Sequence, residues 1–214
     1  MSAAPLRTLR FAALLQVVLA IAYIATGTLW TLAAPRGSNA FKPADPYLAI
    51  LELLILVSAA GYVVLTAAAL ALAPDDCRHH GASAIAFAAA FAALTCGAHF
   101  AQLTVLPRSP APISAWPSVP ATLDLLAWDL FFGLSLLFLA LALPPELRRT
   151  RRTFGLGGAL CVAGLSGPLS GDLRFHLIAT AGYAFVFPVA CAVLWFATRR
   201  PGTGLGRRVA SDGS

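Results

Sequence analysis

Apolar runs long enough to cross a lipid bilayer recur from one end of this 214-residue chain to the other, and that recurrence leaves few folds open. A helix needs about 18 or more predominantly apolar residues to span a hydrocarbon core of ~30 Å. Runs of this kind extend over Phe11–Ala33, Tyr47–Ala73, Ala82–Leu106, Leu123–Leu143, Thr153–Gly171 and His176–Thr198. They predict an all-α, polytopic membrane bundle of six transmembrane helices. Only 11% of the residues are charged, against roughly 25% in a soluble domain, so no segment remains for a sizeable soluble domain. Residues 1–198 read as one transmembrane helical domain and 199–214 as a polar cytoplasmic tail, expected to be disordered. The first run exceeds the ~7–15 residues of a signal-peptide core. It reads as an uncleaved helix, with Leu32-Ala33-Ala34 the ending that a peptidase would otherwise use.

Polar and Pro-rich or Gly-rich stretches separate the runs: Ala34 to Pro46, Asp75 to Gly81, Pro107 to Pro120, Glu146 to Arg152 and Asp172 to Phe175. Six crossings bring both termini to one side. That side carries eleven of the fifteen Lys and Arg residues, including Arg148, Arg149, Arg151 and Arg152, and the positive-inside rule makes it the cytoplasm. The net charge of +6 therefore reads as a topology signal, and no nucleic-acid partner is expected. The four cysteines show no CxxC pair and no disulfide framework. The fifth run is rich in glycine, which lets neighbouring helices approach closely in lipid, and a kink is expected near Pro168.

A carboxylate inside a spanning helix costs ~2.5–3.5 kcal/mol on insertion scales and calls for a partner or a purpose. Asp129, in LDLLAWDLFFGLSLLFLALAL, poses that question most sharply. With the termini inside, Glu52, His99 and Asp129 lie at similar depth, ~8–13 Å below the outer surface at the helical rise per residue. Asp124, Gln102 and His176 follow just above them. Helical spacing makes stripes of Thr95, His99 and Gln102, of His176, Thr180, Tyr183 and Phe187, and of Gln16, Tyr23 and Trp30. The cytoplasmic halves are almost wholly Ala, Leu, Val and Phe. One polar chamber open to, or just beneath, the outer face is expected, with Asp129, Glu52 and His99 as catalytic candidates. Gln102, Asp124, Trp128, Tyr23, Trp30, His176 and Tyr183 are the expected ligand-binding residues. The alternative is that Glu52, His99 and Asp129 serve as interhelical packing contacts.

Several local patterns carry less. Gly164-Leu165-Ser166-Gly167 matches the GxSG of rhomboid-type proteases, but the following histidine, His176, is ten residues on instead of on a well-separated later helix. Asp75, Asp76, Cys77, His79 and His80 offer metal-ligand types without ligand spacing and read as a solvated loop. The single lysine, Lys42, lies in a loop, which excludes a retinal Schiff base. Glu52, His99 and Asp129 are a chemically permissible metal donor set, yet the site is read as metal-free and without a cofactor. Aromatic residues at the same level fit an interfacial belt or the walls of a lipophilic pocket.

The segments TCGAHFAQLTVLPRS, Thr95 to Ser109, and LDLLAWDLFFGLSLLF, Leu123 to Phe138, resemble patterns in uncharacterised bacterial multi-pass membrane proteins. That resemblance implies a bacterial inner-membrane location and brings no activity. A looser analogy is to integral-membrane terpene cyclases, which use intramembrane acidic residues to protonate a prenylated substrate. The leading expectation is a protein that binds or acts on a hydrophobic small molecule. If it is an enzyme, it is an acid-catalysed cyclase, isomerase or lyase, with Asp129 or Glu52 as acid and His99 as partner. A proton-linked carrier and a structural or sensory subunit are the alternatives. The expected partners are the lipid bilayer and that small molecule, with homo-oligomer formation left open.

Overall fold

The computed structural model describes residues 4–33, 46–105 and 117–199. They form six helices long and apolar enough to cross a membrane: α1 (Ala4–Ala33), α2 (Pro46–Leu70), α3 (Asp75–Thr104), α4 (Val119–Ala142), α5 (Pro145–Ser170) and α6 (Leu173–Arg199). No strand occurs among the described residues, and the fold is the all-α transmembrane bundle that the apolar runs predict. The tail from residue 200 onward, the first loop and most of the Pro-rich loop before α4 lie outside the described residues.

Each helix packs against its neighbour in sequence, and α1 also packs against α6, which closes the bundle into a ring. The closure is fixed at one end by Arg10, whose guanidinium donates to the Thr198 carbonyl. Helix α1 is already helical at Ala4, seven residues before the apolar run. Arg7 and Arg10 extend the helix, and Pro5 is accommodated in its first turn, where a missing N–H costs nothing. Likewise Asp75–Cys77 forms a 3-10 turn that leads into α3 at Arg78, so His79 and His80 are helical and not part of a loop. At the start of α4, the Ser118 hydroxyl accepts the Ala121 N–H at 3.3 Å and caps the helix.

Side chains facing outward from the ring are apolar, among them Phe11, Leu53, Leu169, Phe185 and Phe196, as a lipid-facing surface requires. The interior is built on Tyr62, Phe91, Phe132 and Phe187, with Tyr62 and Phe132 ring centroids 4.8 Å apart. Tyr62 reaches its only polar need across the bundle. Its hydroxyl donates to Ser135 Oγ at 2.8 Å, and Ser135 donates to the Ala84 carbonyl at 2.7 Å, which ties α2, α4 and α3 together. Tyr62→Phe is expected to cost about 1 kcal/mol, one net hydrogen bond. Ser135→Ala should cost more, because it leaves the buried tyrosine hydroxyl without its acceptor and also removes the Ser135 bond to the Ala84 carbonyl. Detergent-unfolding midpoints of the two variants check the order.

Helix α5 is interrupted at Leu165 and resumes over Ser166–Ser170. Pro168 is the cause: it has no N–H for the Gly164 carbonyl, so the break falls one turn before the proline. The helix ends at Gly171, whose φ of 76° is left-handed and suits glycine. In the following turn Asp172 accepts the Arg174 N–H at 3.0 Å and its guanidinium at 2.9 Å, which holds the Asp172 carboxyl below the usual carboxylate range.

Helices α5 and α6 approach unusually closely. A Cβ added at Gly164 would lie 2.3 Å from the Ala179 Cβ, and one at Gly158 would lie 2.7 Å from the Gly133 carbonyl oxygen on α4. These contacts hold α4 and α6 on either side of α5, and they set the spacing of the polar groups described next.

Candidate functional site

Two carboxyl and imidazole pairs, one buried and one with its imidazole half-buried, stand at the end of the bundle where α2, α4 and α6 begin and α3 finishes. In the first, His99 on α3 is hydrogen-bonded through Nδ1 to Glu52 Oε2 on α2, and both residues are buried. The other ring nitrogen, Nε2, lies 3.3 Å from Asp124 Oδ1 on α4, out of line for a hydrogen bond. Thr95, one turn before His99, reaches the same Asp124 oxygen at 3.5 Å.

The second pair joins α6 to α4. His176 Nδ1 is 3.0 Å from Asp129 Oδ2, and Asp129 is completely buried. His176 Nε2 is 3.4 Å from the Tyr183 hydroxyl, which is 3.1 Å from Thr180 Oγ1. The plan is the same in both: a carboxyl on a neighbouring helix holds Nδ1, and Nε2 turns toward a second polar side chain. A carboxylate on one ring nitrogen fixes the orientation of the imidazole and leaves the other nitrogen for proton exchange.

Between the pairs lies a cavity of about 180 Å³. For scale, an apolar cavity of about 150 Å³ takes up a benzene ring. His99 and His176 line it, as do Asp124, Tyr183, Tyr23 and Trp128. Glu52 and Asp129 do not line it; each stands behind its imidazole. The remaining wall is aromatic and aliphatic, with the Trp128 ring tilted against Tyr183 at 4.8 Å and edge-on to Phe91 at 4.7 Å. On the far side Gln16 and Ser58 lock to each other, with Gln16 Nε2 donating to the Ser58 carbonyl at 2.9 Å and the Ser58 hydroxyl donating back at 2.7 Å.

Local backbone geometry marks the same region. Leu126–Phe132, which carries Trp128 and Asp129, and Ala181–Val186, which carries Tyr183, are π-helical. Such widened turns are rare and frequent at functional sites. Pro188, which has no N–H to donate, follows the second one. Five buried side-chain polar atoms lack a hydrogen-bond partner among the described residues, and two of them, His99 Nε2 and Asp129 Oδ1, belong to these pairs. Unpaired buried polar atoms cost ~1–3 kcal/mol each; the other three, on Arg10, His80 and Thr150, lie toward the opposite end of the bundle.

Of the expected site residues, Tyr23, His99, Asp124, Trp128, His176 and Tyr183 come together around the cavity, with Glu52 and Asp129 directly behind. Gln102 and Trp30 are not among its lining residues. Sequence reasoning grouped Asp129 with Glu52 and His99 at one depth, whereas the structure pairs it with His176. Ser58 and Tyr62 were missed; Ser58 is a lone hydroxyl in an apolar helix and gives little signal. No group of three or more His, Cys, Asp or Glu with the arrangement of a metal site occurs among the described residues. Comparison with family models, with curated proteins and with solved structures finds no match.

Proposed function

We propose that the cavity binds a small lipophilic molecule, with its apolar body against Trp128, Phe91 and Phe132 and its polar group between His99 and His176. The observation that carries this reading is the shared arrangement of the two imidazoles. Both line one aromatic-walled cavity, and both are held from behind by a carboxyl on another helix. Apolar walls with a few convergent polar groups are the usual composition of a small-molecule site. The chemistry best suited to such a site is proton transfer to or from the bound molecule, as in an acid-catalysed cyclisation, isomerisation or elimination. The imidazoles are the groups in contact with the cavity, and Glu52 and Asp129 are positioning residues behind them. This differs from direct protonation by a carboxyl, the role expected for Glu52 and Asp129 from their chemistry.

The other half of the interior favours binding over passage. Leu65, Leu136, Leu139, Phe154 and Leu194 are fully buried there and offer a transported solute no polar route. The excess of Lys and Arg supports a cytoplasmic position for both termini, with the cavity facing the outer side of a bacterial inner membrane. Ala20 lines the cavity from α1, and Ala20→Phe fills it without touching either pair. Lipophilic molecules retained by the protein after purification, measured by solvent extraction and mass spectrometry, should be lost in Ala20→Phe. They should be retained in Leu53→Ala, which alters an exposed, lipid-facing side chain. Equal content in both variants would contradict the assignment.

A further inference from the structure

The opposite end of the bundle carries a second site, unconnected with the cavity. A groove of about 840 Å³ runs between α4 and the first turns of α5. Leu134, Leu137 and Leu141 form its α4 wall, and Arg148, Arg151, Arg152 and Gly155 form its α5 edge. Positions 148, 151, 152 and 155 are spaced by three, four and seven residues, so they share one helix face. Among the described residues no carboxylate lines the groove; Glu146, the nearest acidic residue in sequence, is not among its walls. Arg151 is held in place by its Nε, which donates to the Ala140 carbonyl at 3.0 Å. Arg149 lies off this face.

We propose that this groove binds an anionic phospholipid. The cations sit at one end, where the helices begin and finish, and the leucine wall extends from there into the span. A lipid has the same order, a charged head followed by hydrocarbon. Guanidinium groups match phosphate oxygens with paired N–H donors, and Gly155 leaves room beside Ala140 on α4, which a Cβ there would meet at 3.8 Å. A free phosphate ion would use the arginines and leave the leucine wall idle, so the apolar wall selects a lipid. The cationic end of the groove, level with Leu141, is about 18 Å along α4 from Asp129 at 1.5 Å per residue, and the proposal stands apart from the function assigned to the cavity.

Native mass spectrometry of the full chain in detergent, titrated with dioleoylphosphatidylglycerol or dioleoylphosphatidylcholine, tests it. Wild-type protein should hold one phosphatidylglycerol far more tightly than phosphatidylcholine. Arg148→Gln/Arg152→Gln should weaken that adduct roughly 30-fold, the effect of two lost surface cations. Gly155→Leu should weaken it with no change of charge. Arg149→Gln, which removes a neighbouring cation outside the groove, should leave it intact. Equal weakening by Arg149→Gln, or no effect of Gly155→Leu, would mean diffuse attraction between charges and would overturn the site.

Discussion

Replacing His176 with leucine will destabilise the bundle by about 3 kcal/mol, because breaking a buried pair from one side strands the other partner. Asp129 is completely buried, its Oδ1 has no hydrogen-bond partner among the described residues, and its Oδ2 is bonded to His176 Nδ1 at 3.0 Å. Without the imidazole the whole carboxyl is left unpaired in an apolar interior. The double variant Asp129→Leu/His176→Leu removes both partners and should recover most of the loss, since a buried pair exchanged for apolar side chains is often neutral. Reversible unfolding in mixed detergent micelles gives the two single costs, the double cost and their coupling. A double variant as unstable as the sum of its singles would show that the two residues do not act as a pair. The other pair is built differently. Removing Glu52 and His99 together still leaves Asp124, whose side chain is 27% exposed, so recovery there should be less complete.

A second large effect is expected at Gly164. Valine there must place Cβ 2.3 Å from the Ala179 Cβ and 2.9 Å from its backbone nitrogen, and neither atom belongs to a flexible side chain. The helices have to part, at the upper end of the ~1–3 kcal/mol typical of overpacking. Ala179 lies three residues after His176, so the same displacement should pull the imidazole away from Asp129. Gly155→Ala is the contrasting case on the same helix. Its new methyl meets Ala140 at 3.8 Å, an ordinary contact, and alanine is the better helix former. Unfolding midpoints should fall sharply for Gly164→Val and hold steady or rise for Gly155→Ala. A silent Gly164→Val would contradict the close packing of α5 on α6.

The six crossings were legible in the sequence because hydrocarbon thickness dictates a run length, and the runs are there to be counted. Their ends were less so: the apolar run begins at Phe11, but the helix takes in Arg7 and Arg10, and Arg10 finds the Thr198 carbonyl on a helix nearly two hundred residues away. Depth was legible too, since each loop fixes a helix end and the rise per residue is constant. It brought Glu52 level with His99, and they are in fact bonded. Azimuth was not legible for Asp129. The π-helical turn Leu126–Phe132 changes the direction in which the following side chains project, and no composition distinguishes it from an α-helix. The partner of Asp129 is decided by how closely α6 approaches α4 across the glycines of α5. Stripe reasoning also carried too far along α1, where Trp30 lies roughly 10 Å beyond Tyr23 along the helix axis and does not line the cavity.

The central claim is that the two carboxyl and imidazole pairs serve the cavity and are not interhelical packing alone. The direct measurement is the lipophilic small-molecule content of folded Asp129→Leu/His176→Leu protein beside wild type, by extraction and mass spectrometry on equal amounts of monodisperse protein. Because stability is expected to recover in the double variant, its ligand content reports on binding alone. The account predicts that the molecule held by wild type is absent from the double variant. Retention at the wild-type level in a stable double variant would contradict it.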